Sequence, residues 1–382
     1  MPIRPLKIGF LSQFSPNDRR ASSGTNYKMA EHLSKIGHLH WIKIRRQPWN
    51  RFVELFEKAF NKLSPKKIKL DGTLLWGRFC EKPLDKKELD RYDIIVAFFC
   101  SNTLARLNTD TTIIYFTDAT FPCMLDYYRQ WTNLPLWNRN SGTQVEKAAM
   151  DKASAIIVSS DWARNSAVQD LNQDKQKVHV VEFGANIDDS DLCIEIPHTS
   201  SGALELLFLG VDWERKGGAI AIDAINHLNN LGIKATLHIA GIKNPPAGIE
   251  NNPHVNFMGF LNKNIPEHYR RLVDVIGRSS ALLLPTKAEC AGIAFAEAEA
   301  FGLPVFSHDT GGVSNYVQDG CTGRLLPLGS TGADFAEAIA DAVRSGAIDR
   351  YSDNARALYK ERLNWNTWGE RVSVIINSIV DK

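Results

Sequence analysis

The 382-residue sequence has no hydrophobic run that approaches the roughly 20 apolar residues of a membrane-spanning helix. Its first residues lack the apolar stretch of a secretory signal. Its six cysteines include no C-x-x-C pair, which argues against a zinc site or a disulfide framework and favours a reducing compartment. Its net charge of +2 provides no overall attraction for nucleic acid. These features predict a cytoplasmic globular protein, and its length favours two domains.

Residues 281–304 carry, in order, the signals of a strand, a loop and a helix. The apolar run Ala281–Leu284 has the length of a buried strand, and Pro285 stops it. The segment Ile293–Phe301 is rich in Ala and Glu, which favour helix, and Gly302 is placed to cap its C-terminus. In such a unit the loop and the helix N-terminus lie at the carboxyl end of the sheet, where anions bind.

Two carboxylates flank the predicted start of this helix, Glu289 in the loop and Glu297 about one turn into the helix. A fully helical path would separate them by roughly 12 Å, at about 1.5 Å per residue. That distance exceeds the spacing of about 5–10 Å at which two carboxylates flank one glycosidic bond in a glycosidase. The pair suits the two ends of one long ligand with an anionic bridge such as a diphosphate between them. The alternative is a surface helix with an ordinary acidic face.

The stretch resembles the signature of retaining GT-B glycosyltransferases of family 4, also called glycosyl transferases group 1. The residues that match that pattern are Pro285, Glu289, Gly292, Ile293, Glu297, Ala298, Ala300, Gly302, Pro304 and Val305, whereas Cys290 and Ala291 replace the usual Gly-Phe. The resemblance implies that Glu289 contacts hydroxyls of the donor sugar and Glu297 those of the ribose. It also implies that the backbone of Gly292, Ile293 and Ala294 contacts the sugar and phosphates.

A second phosphate-binding signal follows the predicted strand Leu204–Gly210. Lys216 precedes Gly217 at a helix start, so a cation lies beside open backbone N–H groups. The alternative is a solvated lysine in a turn. The family pattern G-R-x4-K-G matches at Lys216 and Gly217, but its Arg falls near Val211, so Arg215 is the candidate to supply that charge. The resemblance also places Gly241, after the next strand, at the border of the nucleotide base.

The N-terminal half carries weaker signals of the same kind. A strand at Lys7–Ser12 leads through a loop to a helix, and Gly24 takes the place of the second glycine of the family's Gly-Gly. The resemblance makes Gly24 a donor contact, and the alternative is a plain N-cap and turn. Asp118 follows the strand Thr111–Phe116 where many family members carry a His-Asp pair near the transferred sugar. Asp118 either replaces that His or only caps the next turn.

Residues 43–69 differ from the rest of the chain because they carry nine Lys and Arg against Glu54 and Glu57. Aromatic and aliphatic residues interleave with these charges at helical spacing, from Trp49 to Leu63. A basic amphipathic helix of this kind can lie on an anionic membrane surface. The alternative is a helix that packs its apolar stripe on its own domain and solvates its charges.

Together these patterns and the resemblance predict an α/β protein of GT-B fold, with two Rossmann-like domains that face a cleft. Residues 1–190 would form the acceptor-binding domain, joined by a C-terminal helix at about 365–382 that crosses back. Residues 200–360 would form the domain that binds the nucleotide-sugar donor.

The resemblance implies retaining transfer of a hexose from a nucleoside-diphosphate sugar to an acceptor hydroxyl, in glycan, glycolipid or polysaccharide biosynthesis. Asp118, Lys216 and Glu289 are the catalytic candidates. No cofactor and no metal is expected, because no Asp-x-Asp stands at a strand end. The expected acceptor is a glycan or a lipid-linked molecule, and residues 45–69 would make peripheral contact with the inner face of the membrane. The alternatives are a GT-B epimerase or phosphorylase, and a non-catalytic scaffold.

Overall fold

The computed structural model describes residues 5–193, 203–246, 249 and 251–380, with the side chain of Cys193 left out. The described chain divides into two compact units. The first runs to Val181 and resumes at Gly369, and the second spans Glu182–Trp368. The predicted boundary near 190–200 lies mostly outside the described residues.

The first unit contains a six-stranded parallel sheet in the order β2-β1-β3-β4-β5-β6. Its strands are β1 (Leu6–Ser12), β2 (Gly37–Lys43), β3 (Ile94–Phe98), β4 (Thr112–Thr117), β5 (Ala155–Val158) and β6 (Val178–Val180). The strand order reverses direction between β1 and β3, which in open α/β sheets marks the crevice that receives ligands.

The second unit contains another six-stranded parallel sheet, in the order β12-β11-β10-β7-β8-β9. Its strands are β7 (Leu204–Leu209), β8 (Ala235–Ala240), β9 (Val255–Gly259), β10 (Ala281–Leu284), β11 (Val305–His308) and β12 (Gly323–Leu326). This is the strand order of the Rossmann fold, and its reversal lies between β7 and β10.

Helices connect the strands. They are α1 (Thr25–Ile36), α2 (Asn50–Leu63), α3 (Leu74–Cys80), α4 (Lys86–Leu89), α5 (Ser101–Ala105), α6 (Phe121–Met124), α7 (Leu136–Lys152), α8 (Asp161–Gln169), α9 (Gly218–Asn230), α10 (Pro266–Arg278), α11 (Ile293–Ala300), α12 (Gly332–Arg344), α13 (Ala347–Glu361) and α14 (Trp365–Val380). Within the described residues no helix is long and apolar enough to cross a membrane.

Local chemistry explains where these elements begin and why they are buried. All residues of β3 and β10 are buried, as expected for parallel strands that are covered on both faces. Each fully buried leucine of β10 contributes about 1.5–3 kcal/mol relative to exposure. At the start of α12, Thr331 and Asp334 form a reciprocal capping box, which satisfies two backbone N–H groups that lack helical partners.

The segment after β6 associates with the second unit, although the sequence placed it in the first domain. The Phe183 N–H donates to the Tyr316 hydroxyl at 3.0 Å, and the indole of Trp365 donates to Asn186 Oδ1 at 3.1 Å. The rings of Phe183 and Trp365 also stack with centroids 6.1 Å apart. The second unit therefore begins at Glu182. The sequence did not predict this boundary, because contacts between residues so far apart leave no local pattern.

Several elements had no clear pattern in the sequence. Strand β2 is an edge strand that pairs only with β1 and buries little besides Ile42, so its apolar signal is weak. The short helix α3 contains Gly77, which disfavours helix in isolation. Helix α7 begins at Leu136, directly after Pro135, whose extended backbone precedes the first turn.

Candidate active site

The candidate site of the second unit lies at the carboxyl ends of β7 and β10, the two strands between which the sheet order reverses. The loop after β7 carries Arg215 and Lys216, and the loop after β10 carries Glu289. The loops are joined through Arg215, whose carbonyl accepts from the backbone N–H of Lys287 at 2.8 Å. The two halves of the phosphate-binding pattern, 73 residues apart in sequence, therefore form one structure.

Gly217 makes this approach possible. It stands at the N-terminus of α9 with φ of +75°, the left-handed region that suits glycine. A Cβ at this position would lie 2.0 Å from the carbonyl oxygen of Pro285. The absence of a side chain thus allows the turn after β7 to contact the turn after β10, which brings Lys216 next to Glu289.

Lys216 and Arg215 converge on the same carboxylate. The Lys216 ammonium contacts Glu289 Oε2, and Arg215 Nη1 lies 3.5 Å from that oxygen and donates to the Ala288 carbonyl at 2.7 Å. Lys216 is 7% exposed and Glu289 8% exposed. Desolvation lowers the pKa of Lys216, and the carboxylate of Glu289 partly offsets that effect. Adjacent residues thus act on one oxygen, although the side chains of sequence neighbours usually diverge.

Two cations, Lys216 and the partly exposed Arg215, therefore face one buried carboxylate. Asp212 also approaches Arg215, with 3.6 Å between Arg215 Nε and Asp212 Oδ2, but the Asp212 side chain is half exposed and solvent screens its charge. Helix α11 begins shortly after Glu289 in sequence, with Gly292 directly before Ile293 and Ala294. The backbone N–H groups at this helix start have no intrahelical acceptors, so they can bind a ligand. The combination provides a positive, partly dehydrated region suited to an anion.

Helix α11 is buried, so the alternative of an ordinary acidic surface face is wrong. Glu297 is 3% exposed and forms an ion pair with the ammonium of Lys263, in the loop between β9 and α10. Lys263 also lies 3.4 Å from the carbonyl oxygen of Asn186. Glu299, on the same helix, accepts from the Thr322 hydroxyl at 2.9 Å, and burial raises its pKa well above the usual range. Glu299 is therefore a structural group.

Lys263 is a site residue that the sequence did not reveal. It belongs to no motif and stands 34 residues before its partner Glu297, so only the folded chain brings the two together. The sequence does contain a weak indication that Lys263 lies near a ligand, because this residue falls between a strand and the helix that begins at Pro266. Loops in that position lie at the carboxyl edge of the sheet, where ligands bind.

Gly241 lies beside the same edge, after β8. Its φ is +103°, and a Cβ there would lie 2.4 Å from the Gly210 carbonyl oxygen at the end of β7. The two strand ends lie so close together that only glycine fits at position 241. The role of Gly241 at the nucleotide base stays a prediction.

The two candidates from the N-terminal half lie in the first unit. Gly24 is the N-cap of α1 with φ of +101°, after Ser22 and Ser23, which also have positive φ. Asn26 organises the preceding loop, because its amide donates to the Ser15 carbonyl at 2.8 Å and its oxygen accepts from the Ser12 hydroxyl at 2.8 Å. The turn before α1 therefore has an irregular backbone and is more than a plain N-cap. The contact of Gly24 with the donor stays a prediction.

Asp118 directly follows β4 and is partly buried. Its carbonyl oxygen accepts from the Ser159 hydroxyl at 3.4 Å, which ties it to the residue after β5. The side chain that caps the next short helix is that of Thr120, which accepts from Cys123 N, so the alternative capping role falls to Thr120. A catalytic role for Asp118 remains a prediction.

A buried carboxyl group, Glu146 on α7, lies near Asp118 and accepts a hydrogen bond from the Tyr115 hydroxyl at 3.0 Å. The pKa of Glu146 is raised to about 7, mainly by burial; the charge of Asp118 contributes to the rise, and the hydrogen bond from Tyr115 opposes it. Glu146 is therefore protonated in the folded protein at pH values where it would be ionised in the unfolded chain.

The Glu146→Gln variant should be more stable than the wild type at pH 8 by about 3 kcal/mol. As pH rises from about 4.5 to 7, the unfolded wild type releases this proton before the native state does, so stability is lost across that window at about 1.36 kcal/mol per unit. Glutamine is neutral throughout and retains an acceptor for Tyr115. Urea denaturation at pH 5 and pH 8 measures the difference, with Glu88→Gln on the surface as the matched control. An equal pH slope in wild type and variant would contradict the assignment.

Among the described residues, no group of three His, Cys, Asp or Glu side chains is arranged to hold a metal ion. Metal independence stays an expectation, which a chelator tests directly.

Comparisons with known proteins show which family part of the chain is similar to. Residues 195–358 match the family model described as glycosyl transferases group 1. A D-inositol 3-phosphate glycosyltransferase of Nocardia farcinica is 35% identical over 100 residues, which are 26% of this chain and 22% of that protein. The chain spans less than two thirds of the length of the first curated relatives it matches.

Solved structures match over nearly the whole chain. Sucrose-phosphate synthase from Thermosynechococcus elongatus superposes with a TM-score of 0.67 at 15% identity, over 97% of this chain and 98% of that one. Anabaena HepE, solved in complex with UDP-glucose, gives a TM-score of 0.62 at 17% identity, over 98% and 100%. At these identities the likeness shows the fold alone. The predicted α/β GT-B fold is confirmed, and the group 1 match of residues 195–358 bears out the predicted enzyme class, that of the glycosyltransferases.

Proposed function

We propose that this protein transfers a hexose, with retention at the anomeric carbon, from a nucleoside-diphosphate sugar to an acceptor hydroxyl. The observation that carries the proposal is the convergence of Arg215 and Lys216 on Glu289, beside the N-terminus of α11. A diphosphate is the anion that such a site fits, because it is long enough to span the loop and the helix start and carries charge along its length.

Each group has a task in the proposed reaction. As the bond between sugar and diphosphate opens, negative charge builds on the leaving phosphate. Lys216, supported by Arg215 and the amides of Ile293 and Ala294, stabilises that charge without reorganisation because the fold already holds these groups in place. Glu289, oriented by Lys216, accepts hydrogen bonds from hydroxyls of the donor sugar.

Glu297 is proposed to bind the two ribose hydroxyls of the donor. A carboxylate has acceptor positions for both hydroxyls, and its burial makes those hydrogen bonds stronger than they would be in water. Lys263 forms an ion pair with the carboxylate and orients it. We propose Lys263 as a positioning residue of the donor site.

The donor base is to be decided by experiment. UDP is the first ligand to test, because the similarly folded HepE was solved with UDP-glucose. Gly241 is proposed to border the base.

The acceptor is proposed to be a glycan or a lipid-linked molecule, bound by the N-terminal domain, with Gly24 at the donor and Asp118 near the transferred sugar. The reaction is proposed to need neither a metal nor a cofactor and to take place in the cytoplasm, in part at the inner face of a membrane. Undiminished transfer after treatment with EDTA is the expected result for metal independence. Retention is tested by the anomeric configuration of the product in NMR.

Two other functions of the same fold make different predictions. A phosphorylase requires free phosphate as co-substrate, and an epimerase converts the nucleotide sugar with no acceptor present. A scaffold would show an intact fold and no nucleotide binding. Product analysis with and without phosphate and acceptor separates these outcomes.

A thermal-shift panel of UDP, GDP, ADP and their hexose conjugates tests the donor site. One diphosphate at about 100 times its dissociation constant should stabilise the wild type by roughly 2.7 kcal/mol. Loss of the Glu297 hydrogen bonds should weaken binding at least about tenfold, so the same concentration stabilises Glu297→Ala by only about half as much.

Glu267→Ala, an exposed carboxylate on α10, is the matched control and should keep the full shift. If a well-folded wild type responds to no nucleotide in calorimetry or thermal shift, the donor assignment fails and the scaffold function gains support.

A further inference from the structure

Helix α2 does not bury its apolar stripe in the protein. Of its 14 residues only Asn50 is buried. Phe52, Leu55 and Phe56 are between 60% and 74% exposed, and they share one helical face because they are spaced by three and four positions. The alternative raised by the sequence, a helix that packs this stripe on its own domain, is therefore wrong.

Helix α3 extends the same kind of surface. Leu75 and Phe79 are 66% and 58% exposed, one turn apart on this short helix. The two helices are tied at this point, because the indole N–H of Trp49 donates to the carbonyl oxygen of Phe79 at 2.9 Å. Trp49 is itself half exposed. We call the exposed apolar residues of α2 and α3, with Trp49, the two-helix surface.

The charges around the two-helix surface have one predominant sign. Both carboxylates of α2 are held by the protein: Glu54 accepts from Arg46 Nη1 at 2.8 Å, and Glu57 accepts from the Leu70 N–H at 2.7 Å. The charged residues of these helices that are classed as exposed are all cations, and they are Arg51, Lys58, Lys62 and Arg78.

From this arrangement we infer that the two-helix surface docks on an anionic lipid bilayer. Aromatic and leucine side chains would enter the boundary between headgroups and acyl chains, and the flanking cations would meet lipid phosphates. A second copy of the chain is disfavoured as the occupant, because a twofold contact would place the cations of one copy against those of the other. The inference does not depend on glycosyl transfer, so the two can fail separately.

Co-sedimentation of the full chain with vesicles tests the inference. The wild type should bind vesicles of phosphatidylcholine with 30% phosphatidylglycerol at least tenfold more tightly than pure phosphatidylcholine vesicles, and added NaCl should weaken the binding. Phe52→Ser/Phe56→Ser on α2 and Leu75→Ser/Phe79→Ser on α3 should each reduce the affinity at least tenfold. Arg51→Gln/Lys58→Gln/Lys62→Gln should reduce it to the level of pure phosphatidylcholine.

The matched controls change the same chemistry elsewhere. Val374→Ser removes an apolar side chain on α14 that is 70% exposed. Lys175→Gln/Lys234→Gln/Lys360→Gln removes three charges from exposed lysines remote in sequence from α2. Both should bind like the wild type and melt within about 1 °C of it. The inference is overturned if the wild type ignores vesicle charge, if it self-associates through these residues instead, or if the α3 pair has no effect.

Discussion

Replacing Lys216 by alanine should lower kcat about 100- to 1,000-fold, the loss found when one donor to a developing oxyanion is removed from a closed site. The large effect follows from burial: Lys216 is 7% exposed, so water replaces its charge poorly. KM for the donor should rise less, because the diphosphate gains charge at its leaving oxygen as the bond opens. Arg215→Ala should cost only about tenfold, since Arg215 is more exposed and lies 3.5 Å from the shared carboxylate.

Stability has to be separated from catalysis in this experiment. Removal of one partner of a buried ion pair costs about 3–5 kcal/mol in well-buried cases, and Lys216→Ala removes the ammonium that contacts Glu289. Lys216→Met keeps the apolar stem and should lose the same factor in kcat. Lys234→Ala, an exposed lysine before β8, should behave like the wild type. A folded Lys216→Met enzyme with a kcat within threefold of the wild type would refute the role given to this ammonium.

Gly217→Ala should destabilise the second unit by about 2–5 kcal/mol. A positive φ costs an L residue about 1–2 kcal/mol, and overpacking adds about 1–3 kcal/mol or more. The clash here is with backbone, because the new Cβ would lie 2.0 Å from the Pro285 carbonyl oxygen. The turn would have to move away from β10 and take Lys216 with it, so the variant should also lose donor binding.

Gly232→Ala is the matched control for this variant. Gly232 follows the other end of α9 with φ of +79°, and nothing lies within 4 Å of the position that a Cβ would take there. Gly232→Ala should lower the free energy of unfolding only by the cost of holding an alanine at positive φ, about 1–2 kcal/mol. Chemical denaturation of both variants isolates the steric part. Equal destabilisation of the two would show that the approach of the β7 and β10 turns is not what requires glycine at 217.

Much of the fold could be predicted from local pattern. The strands β1, β4, β7 and β10 lie at or within one residue of their predicted bounds, because a largely apolar run between turn residues favours a covered parallel strand. Helix α11 was predictable from its Ala and Glu content and from Gly302. Edge strand β2 and helix α3 were not, since an element that buries few residues leaves little periodic signal.

The candidate site was predictable only in part. Lys216, Glu289 and Glu297 could be named because residue type, spacing and the resemblance to a family agreed on them. Their contacts could not be named. The pairing of Arg215 with Glu289 and of Lys263 with Glu297 joins residues 74 and 34 positions apart, and no local rule relates such positions.

The sequence by itself determined the α/β class, most central strands and the places where an anion meets a helix N-terminus, because these depend on neighbours within about ten residues. Only the tertiary structure decided which charges meet and which faces stay exposed. Glu297, which the sequence could equally place on an exposed acidic face, is buried and paired with Lys263. The apolar stripe of α2, which the sequence could equally place in the core, faces solvent. The physical reason is the same in both cases: periodicity shows that a helix has an apolar face, and the packing of distant segments decides what covers it.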